Sequence, residues 1–266
     1  MPVLDRSLPR TRTARFWVYV GDARNPHTVY DFTPSRSRDG PEKFLGSFSG
    51  YLQADAYAGY NRLLAGPNVI EVACWAHTRR KFFDAKLTAP KESHEALARI
   101  SQLYKIERHA KKEQLTSDQR CHLRQEKSVP LLDEFGVWLE NQRNRVLPKS
   151  PIGQATSYAL SNWQALCRYP EDGDLSIDNN ISERALRAQA VGRRNWTFVG
   201  SDNGGRTAAV LFSLIASCKH NRVDPFAYLV DILSRVAEDP TRVADLLPNR
   251  WLKTHPECQF ELNRFY

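Results

Sequence analysis

The feature that most limits the fold of this chain is a change of hydrophobic period near Thr78. Before it, short aromatic and β-branched runs alternate with turn residues, which is the pattern of strands. Arg15-Phe16-Trp17-Val18-Tyr19-Val20 stops at Gly21-Asp22, and His27 to Thr33 repeats the pattern, so the two predict a hairpin. Pro34 to Gly40 breaks it, and a short helix is expected over Pro41 to Leu45. Tyr51 to Ala54 predicts a strand that delivers Asp55 at its end. Asn68 to Ala73 predicts another, with Cys74-Trp75-Ala76-His77 at its exit. Residues 1–14 are basic and rich in Pro, Ser and Thr, and read as a loop or fraying end.

From Thr78 onward the period is helical. Arg79 to Leu87, Glu92 to Gln114 and Ser117 to Gln125 lack Gly and Pro, and Leu131, Leu132, Phe135, Trp138 and Leu139 fall on one apolar helix face. Ser150-Pro151 has the residue types of an N-cap and first helical position for a helix to about Arg168. Asp178-Asn179-Asn180 opens a short helix ending near Leu186 or Arg187. Gly192 to Gly200 reads as a loop with a short strand, and a long helix covers Arg206 to about His220. Asp224-Pro225 caps a further helix through Val236, and the tail after Pro248 is expected to be irregular. The expected class is therefore α/β.

Composition narrows the function classes. With 41% hydrophobic residues the 266-residue chain can bury a core, and no apolar run reaches the ~18 residues of a membrane span. Five scattered cysteines and an N-terminus without a secretory signal point to a reducing cytoplasm. A formal charge of +8 favours polyanionic partners, because each neutralised phosphate releases counterions.

Four constellations could carry chemistry. Asp55, at a strand exit among small residues, either holds a hard cation such as Mg²⁺ or caps the next helix. Glu183 either completes a capping box with Asn180 or projects from the helix start as a metal ligand, with Arg187 one turn on. Arg184, Arg187, Arg193 and Arg194, interleaved with Trp196 and Phe198, suit phosphate contacts and base stacking, or form a solvated charged face. Cys74-x-x-His77 is half a zinc site without a second pair, so these residues are expected to pack beside the site while Arg79, Arg80 and Lys81 meet nucleic acid.

Together these segments resemble transposases of the insertion sequence 66 family. The resemblance rests on the ordered segments WVYVGD, YLQADAYAGY, CWAHTRRKFFDA, IDNNISERALR, VGRRNWTFVGSDNGG and SCKHNRVDPFAYLVDIL, between Arg15 and Trp251. It implies a ribonuclease-H-like core with a helical insertion and C-terminal helices, N-terminally truncated. The expected layout is a first part of the core over 1–88, the insertion over 89–170, the rest of the core with the acidic helix over 171–222, and a C-terminal helical region over 223–266. It further implies a site in which three carboxylates hold two divalent ions, Mg²⁺ or Mn²⁺, for cleavage and strand transfer at transposon ends. One metal then activates water and later the freed 3′-hydroxyl, and the other stabilises the leaving oxygen.

By residue-wise carry-over the second carboxylate is Asp55 and the third is Glu183. The first belongs to an Asp-Glu-Thr-Pro-like strand just upstream of Val3-Leu4-Asp5, so the expectation is a chain lacking it, with impaired cleavage. The alternative is a catalytically dead DNA-binding remnant. The upstream strand would make Arg15–Val20 the second of the sheet, so Asp22, a tempting substitute at its end, is expected to lie at the wrong edge to replace the missing Asp. Implied partners are terminal inverted repeats and target DNA, accessory proteins of the same element and further copies of the chain. The implied location is the bacterial cytoplasm, at the nucleoid.

Overall fold

Arg15–Val20 and Thr28–Thr33 pair antiparallel along their full length, Arg15 opposite Thr33 and Val20 opposite Thr28, as their β-branched and aromatic content predicts. Around this hairpin a computed structural model describes residues 1–260 other than 6, 36, 38, 56 and 57. In chain order the strands are β1 (Pro2–Val3), β2 (Arg12–Thr13), β3 (Arg15–Val20), β4 (Thr28–Thr33), β5 (Gly50–Gln53) and β6 (Val69–Val72). The α-helices are α1 (Asp39–Leu45), α2 (Asn61–Leu64), α3 (Trp75–Asp84), α4 (Pro90–Lys112), α5 (Ser117–Arg143), α6 (Pro151–Ser161), α7 (Trp163–Leu166), α8 (Asn180–Trp196), α9 (Asp202–His220), α10 (Pro225–Glu238) and α11 (Pro248–Thr254). Helix makes up 63% of the described residues, and their strands form only three two-stranded sheets, so this is an α/β chain dominated by helices.

The chain divides into two compact units, one of Met1–Gly40 with Ile181–Tyr266 and one of Pro41–Asn180. In the first, α9 packs on β4. Gly205 makes this possible, because a Cβ there would stand 2.4 Å from the Phe32 ring. Met1, Val3, Ala14, Tyr30, Phe32, Val199 and Ala209 form the core beneath, and Phe16 meets Phe32 edge-on at 5.4 Å. A second cluster, with Tyr228, Ile232 and Trp251, packs α10 and α11 against the end of α9.

In the Pro41–Asn180 unit, β5 and β6 run parallel with Gln53 opposite Val72. Trp75, Phe82, Phe135, Trp138 and Trp163 form an aromatic core among α3, α5 and α7, with the Trp75 and Phe135 rings stacked at 5.9 Å. A buried ion pair joins α4 to α5. Arg124 is 1% exposed, and its Nε and Nη2 donate to Glu107 at 2.8 and 2.7 Å.

Several elements depart from their expected limits. Residues 1–14 do not fray: β1 pairs with β2, Val3 bridges Val199, and Met1 and Val3 are buried. Ser117 to Arg143 is one helix through Pro130. The helix that begins after Ser150 breaks at Asn162. α8 continues through Gly192 to Trp196, α9 starts at Asp202 with Ser201 as its cap, and the segment after Pro248 forms α11.

Candidate active site

In the Pro41–Asn180 unit the candidate residues gather at the exits of the two parallel strands. Asp55 follows β5 by two residues and is exposed, while Cys74 follows β6 by two residues and is buried. The Ala54 amide donates to Val72 O at 3.2 Å, so both chains leave the sheet at one edge. Tyr158 of α6 lies within electrostatic reach of both. Its phenol is raised first by burial and then by Cys74, Asp55 and Glu71. The Lys81 ammonium sits 5.3 Å over the Tyr158 ring, and the Arg79 guanidinium lies 6.0 Å from the Phe83 ring centre. Arg79, Arg80 and Lys81 are exposed, which keeps their charge available to a solvent-side partner.

The loop that leads into α8 is fastened to this same edge. Gln53 Nε2 donates to Ser176 O at 2.6 Å, the Trp75 amide to Ile177 O at 3.2 Å, and the Asn179 amide to Cys74 Sγ at 3.5 Å. Tyr104 on α4 donates to Asp178 Oδ2 at 2.8 Å, and its phenol is driven far up by burial first and by Asp178 next. From below, Arg124 spends its remaining donors on the carbonyls of Tyr169, Asp172 and Leu175, at 2.9, 2.8 and 2.9 Å. Arg120 adds a bond to Gly173 O at 2.7 Å. The helices between β6 and this loop thus act as a clamp on the approach to α8.

Cys74 serves that clamp. Burial pushes its thiol up, against the thiolate that zinc requires. Among the described residues no group of three or more His, Cys, Asp or Glu side chains is placed to hold a metal ion.

In the other unit α8 carries Glu183, Arg184, Arg187, Arg193, Arg194 and Trp196. Its half-buried positions are Ser182, Ala185, Leu186, Gln189, Gly192 and Trp196, and Tyr30 donates from β4 to Ala185 O at 2.5 Å. The opposite face is exposed and bears Glu183 in the first turn, then Arg184, Arg187 and Arg194. The Asn180 amide, which a capping box would offer to Glu183, donates to Asp178 Oδ1 at 3.1 Å. Asp22 works as a turn cap. Its Oδ1 accepts from the Arg24 amide, the Asn25 amide and Asn25 Nδ2 at 3.0, 2.8 and 3.2 Å. Burial works to raise that carboxyl, but these bonds outweigh it and hold it below the usual range.

Tyr104, Arg124, Tyr158 and Gln53 escape a reading of the sequence. Each lies in a run that shows only its helix or strand character, and its partner is distant along the chain. The one available signal was Asp178, which stands in the segment read as a helix start.

The family described as "Transposase IS66 family" matches residues 1–207, and the one described as "IS66 C-terminal element" matches residues 213–249. The chain belongs to the IS66 family of transposases. Among curated relatives, an uncharacterized protein y4hP of Sinorhizobium fredii is 36% identical over 263 residues, covering 90% of this chain and 47% of the relative. An uncharacterized protein y4jD of the same organism is 34% identical over 267 residues, covering 94% and 52%. The chain spans about half the length of the curated relatives it matches. No solved structure matches it. No helix among the described residues is long and apolar enough to cross a membrane.

Proposed function

We propose that this chain is the DNA-acting core of a transposase, in which Asp55 and Glu183 supply carboxylates to divalent metal ions, Mg²⁺ or Mn²⁺, during phosphodiester cleavage and strand transfer. A ribonuclease-H-like core is part of this reading and rests on family membership rather than on a joined sheet. The observation that carries the proposal is the fastening of Ser176, Ile177 and Asn179 to the strand edge that bears Asp55. Glu183 follows Asn180 by three residues within α8.

The donor chemistry fits the ion. Asp55 and Glu183 are exposed carboxylates, the oxygen donors that hard divalent cations prefer, whereas the nearby Cys74 is a buried, protonated sulfur. Such an ion, when bound, helps generate the attacking oxygen and neutralises charge on the leaving one. The remaining work falls to side chains. Arg184, Arg187 and Arg194 on the outer face of α8 hold phosphates and set the register of the strand on the protein. Arg79, Arg80 and Lys81 give a second cationic stretch on α3. Tyr104 and Asp178 are positioning residues that hold the entry to α8.

The test pairs a binding assay with a nicking assay on duplex DNA carrying a transposon end. Duplex affinity is expected to fall steeply with salt, and Arg187→Ala with Arg194→Ala to flatten the logarithmic salt dependence by about one unit for each arginine removed. Mg²⁺-dependent nicking is expected to disappear in Asp55→Asn and in Glu183→Gln while binding persists. Nicking that survives either change removes that residue from the metal set. Binding without nicking in the unaltered chain leaves a DNA-binding remnant, and no affinity at low salt overturns the reading altogether.

A further inference from the structure

The reversal after α8 leaves an apolar cavity of about 330 Å³, lined by Trp196, Val199, Ala208, Leu211, Phe212 and Ile215. Its walls are built rather than accidental. At Gly192 a Cβ would stand 2.6 Å from Trp196 Nε1 and 3.1 Å from two ring carbons, so this glycine lets the indole fold back along its own helix. Thr197 then takes a left-handed backbone, φ 50°, which turns the chain out of α8. Val199 is held on both sides, its amide donating to Pro2 O at 3.0 Å and its carbonyl accepting from the Leu4 amide at 2.8 Å. The far wall is α9, fixed by its Ser201 cap, whose Oγ accepts from the Gly204 amide at 3.1 Å, and by its packing on β4.

Polar atoms are nearly absent from this lining, yet the surrounding sequence is cationic. Arg193 precedes Trp196 by three residues, so it lies toward the same side of α8; it is exposed and acts electrostatically on the Met1 amino group, whose residue packs in the core with Val199 and Trp196. Phe198, 46% exposed, adds a second aromatic ring beside the turn. An aromatic slot nearly free of hydrogen-bonding groups, with the exposed Arg193 one helical turn from its indole, matches a planar base attached to a charged backbone. A purely apolar partner leaves Arg193 unexplained.

We propose that this cavity receives an unstacked nucleobase at a DNA end, with its face against Trp196 and its flanking phosphate on Arg193. The inference rests on the DNA-acting reading above and names the part of the DNA that this region holds. With the indole N–H as its one side-chain donor, the slot takes any base by its face, and it discriminates unpaired from paired nucleotides rather than one sequence from another.

The experiment compares two duplexes of equal length and phosphate number, one fully paired and one with three mismatched nucleotides at an end. 2-Aminopurine in the mismatched end reports stacking. The chain is expected to bind the mismatched end roughly tenfold tighter, within the range that stacking one base supplies, and to quench the probe. Trp196→Ala is expected to erase both effects while leaving affinity for the paired duplex within about twofold, and Trp196→Phe to restore most of the preference. Leu211→Gln, at the 43% exposed lip of the cavity, gives the same loss without touching the core if Trp196→Ala fails to fold. Equal affinity for the two duplexes with an unquenched probe overturns the base slot and leaves DNA binding intact. A dimer of the free chain that Leu211→Gln dissociates, with no preference between duplexes, assigns the cavity to a second copy and overturns it too. Failure to bind either duplex at low salt sinks the DNA-acting reading itself.

Discussion

Arg124 uses all five of its N–H donors, on the Glu107 carboxylate and on three loop carbonyls, and it is almost fully buried. Desolvating a guanidinium is costly, so such a group is tolerated only when every donor is met. Arg124→Ala is expected to lower stability by about 3–5 kcal/mol, because it strands a mostly buried carboxylate and three carbonyls. Urea unfolding measures this. A loss below about 1 kcal/mol shows that the loop finds other partners. Nothing in the local sequence separates Arg124 from the exposed arginines and lysines of the same charge-rich helix. Its partners lie 17 to 51 residues away, so a single-sequence reading sees only a helical charge. Asp22 was easier to place, because the hairpin expected around it already required a turn residue there.

Helix ends were more legible than single side chains when the cap chemistry was local. Ser150-Pro151 and Asp224-Pro225 cap as their residue types require, with Ser150 Oγ accepting from the Gly153 amide and Asp224 Oδ1 from the Phe226 amide. C-termini were harder. α4 and α9 both close with a Schellman pair: the Leu115 amide donates to Ala110 O and the Val223 amide to Cys218 O. The left-handed positions are held by Gln114 and Arg222, φ 50° and 58°, where glycine is the usual residue. Gln114→Gly and Arg222→Gly are each expected to stabilise by roughly 1 kcal/mol, raising the thermal midpoint by a few degrees. A lower midpoint would mean that the replaced side chain holds something else in place. The same physics hid the true length of α8. Gly192 reads as a helix breaker, but its missing Cβ is the seat of Trp196, a packing reason that no local propensity contains.

For the whole molecule, the order of strands and then helices was readable, while strand pairing beyond the β3–β4 hairpin was not. The β1–β2 pair and the Val3–Val199 bridge join segments whose local sequence resembles loop. Folding rules do not assign Asp55 and Glu183 to one chemical task, and that assignment is the proposal made above. The central claim is that these two carboxylates grip the same divalent ions. Fe²⁺ replacing Mg²⁺ reduces added hydrogen peroxide to hydroxyl radicals that cut the backbone near the bound ion, ascorbate returns the Fe³⁺ to Fe²⁺, and the fragments map the cuts. The account predicts two groups of cuts, around residues 55 and 183, both suppressed by excess Mg²⁺ and both abolished by Asp55→Asn alone and by Glu183→Gln alone. Cuts confined to one of the two places, or one group that survives loss of the other carboxylate, would contradict it.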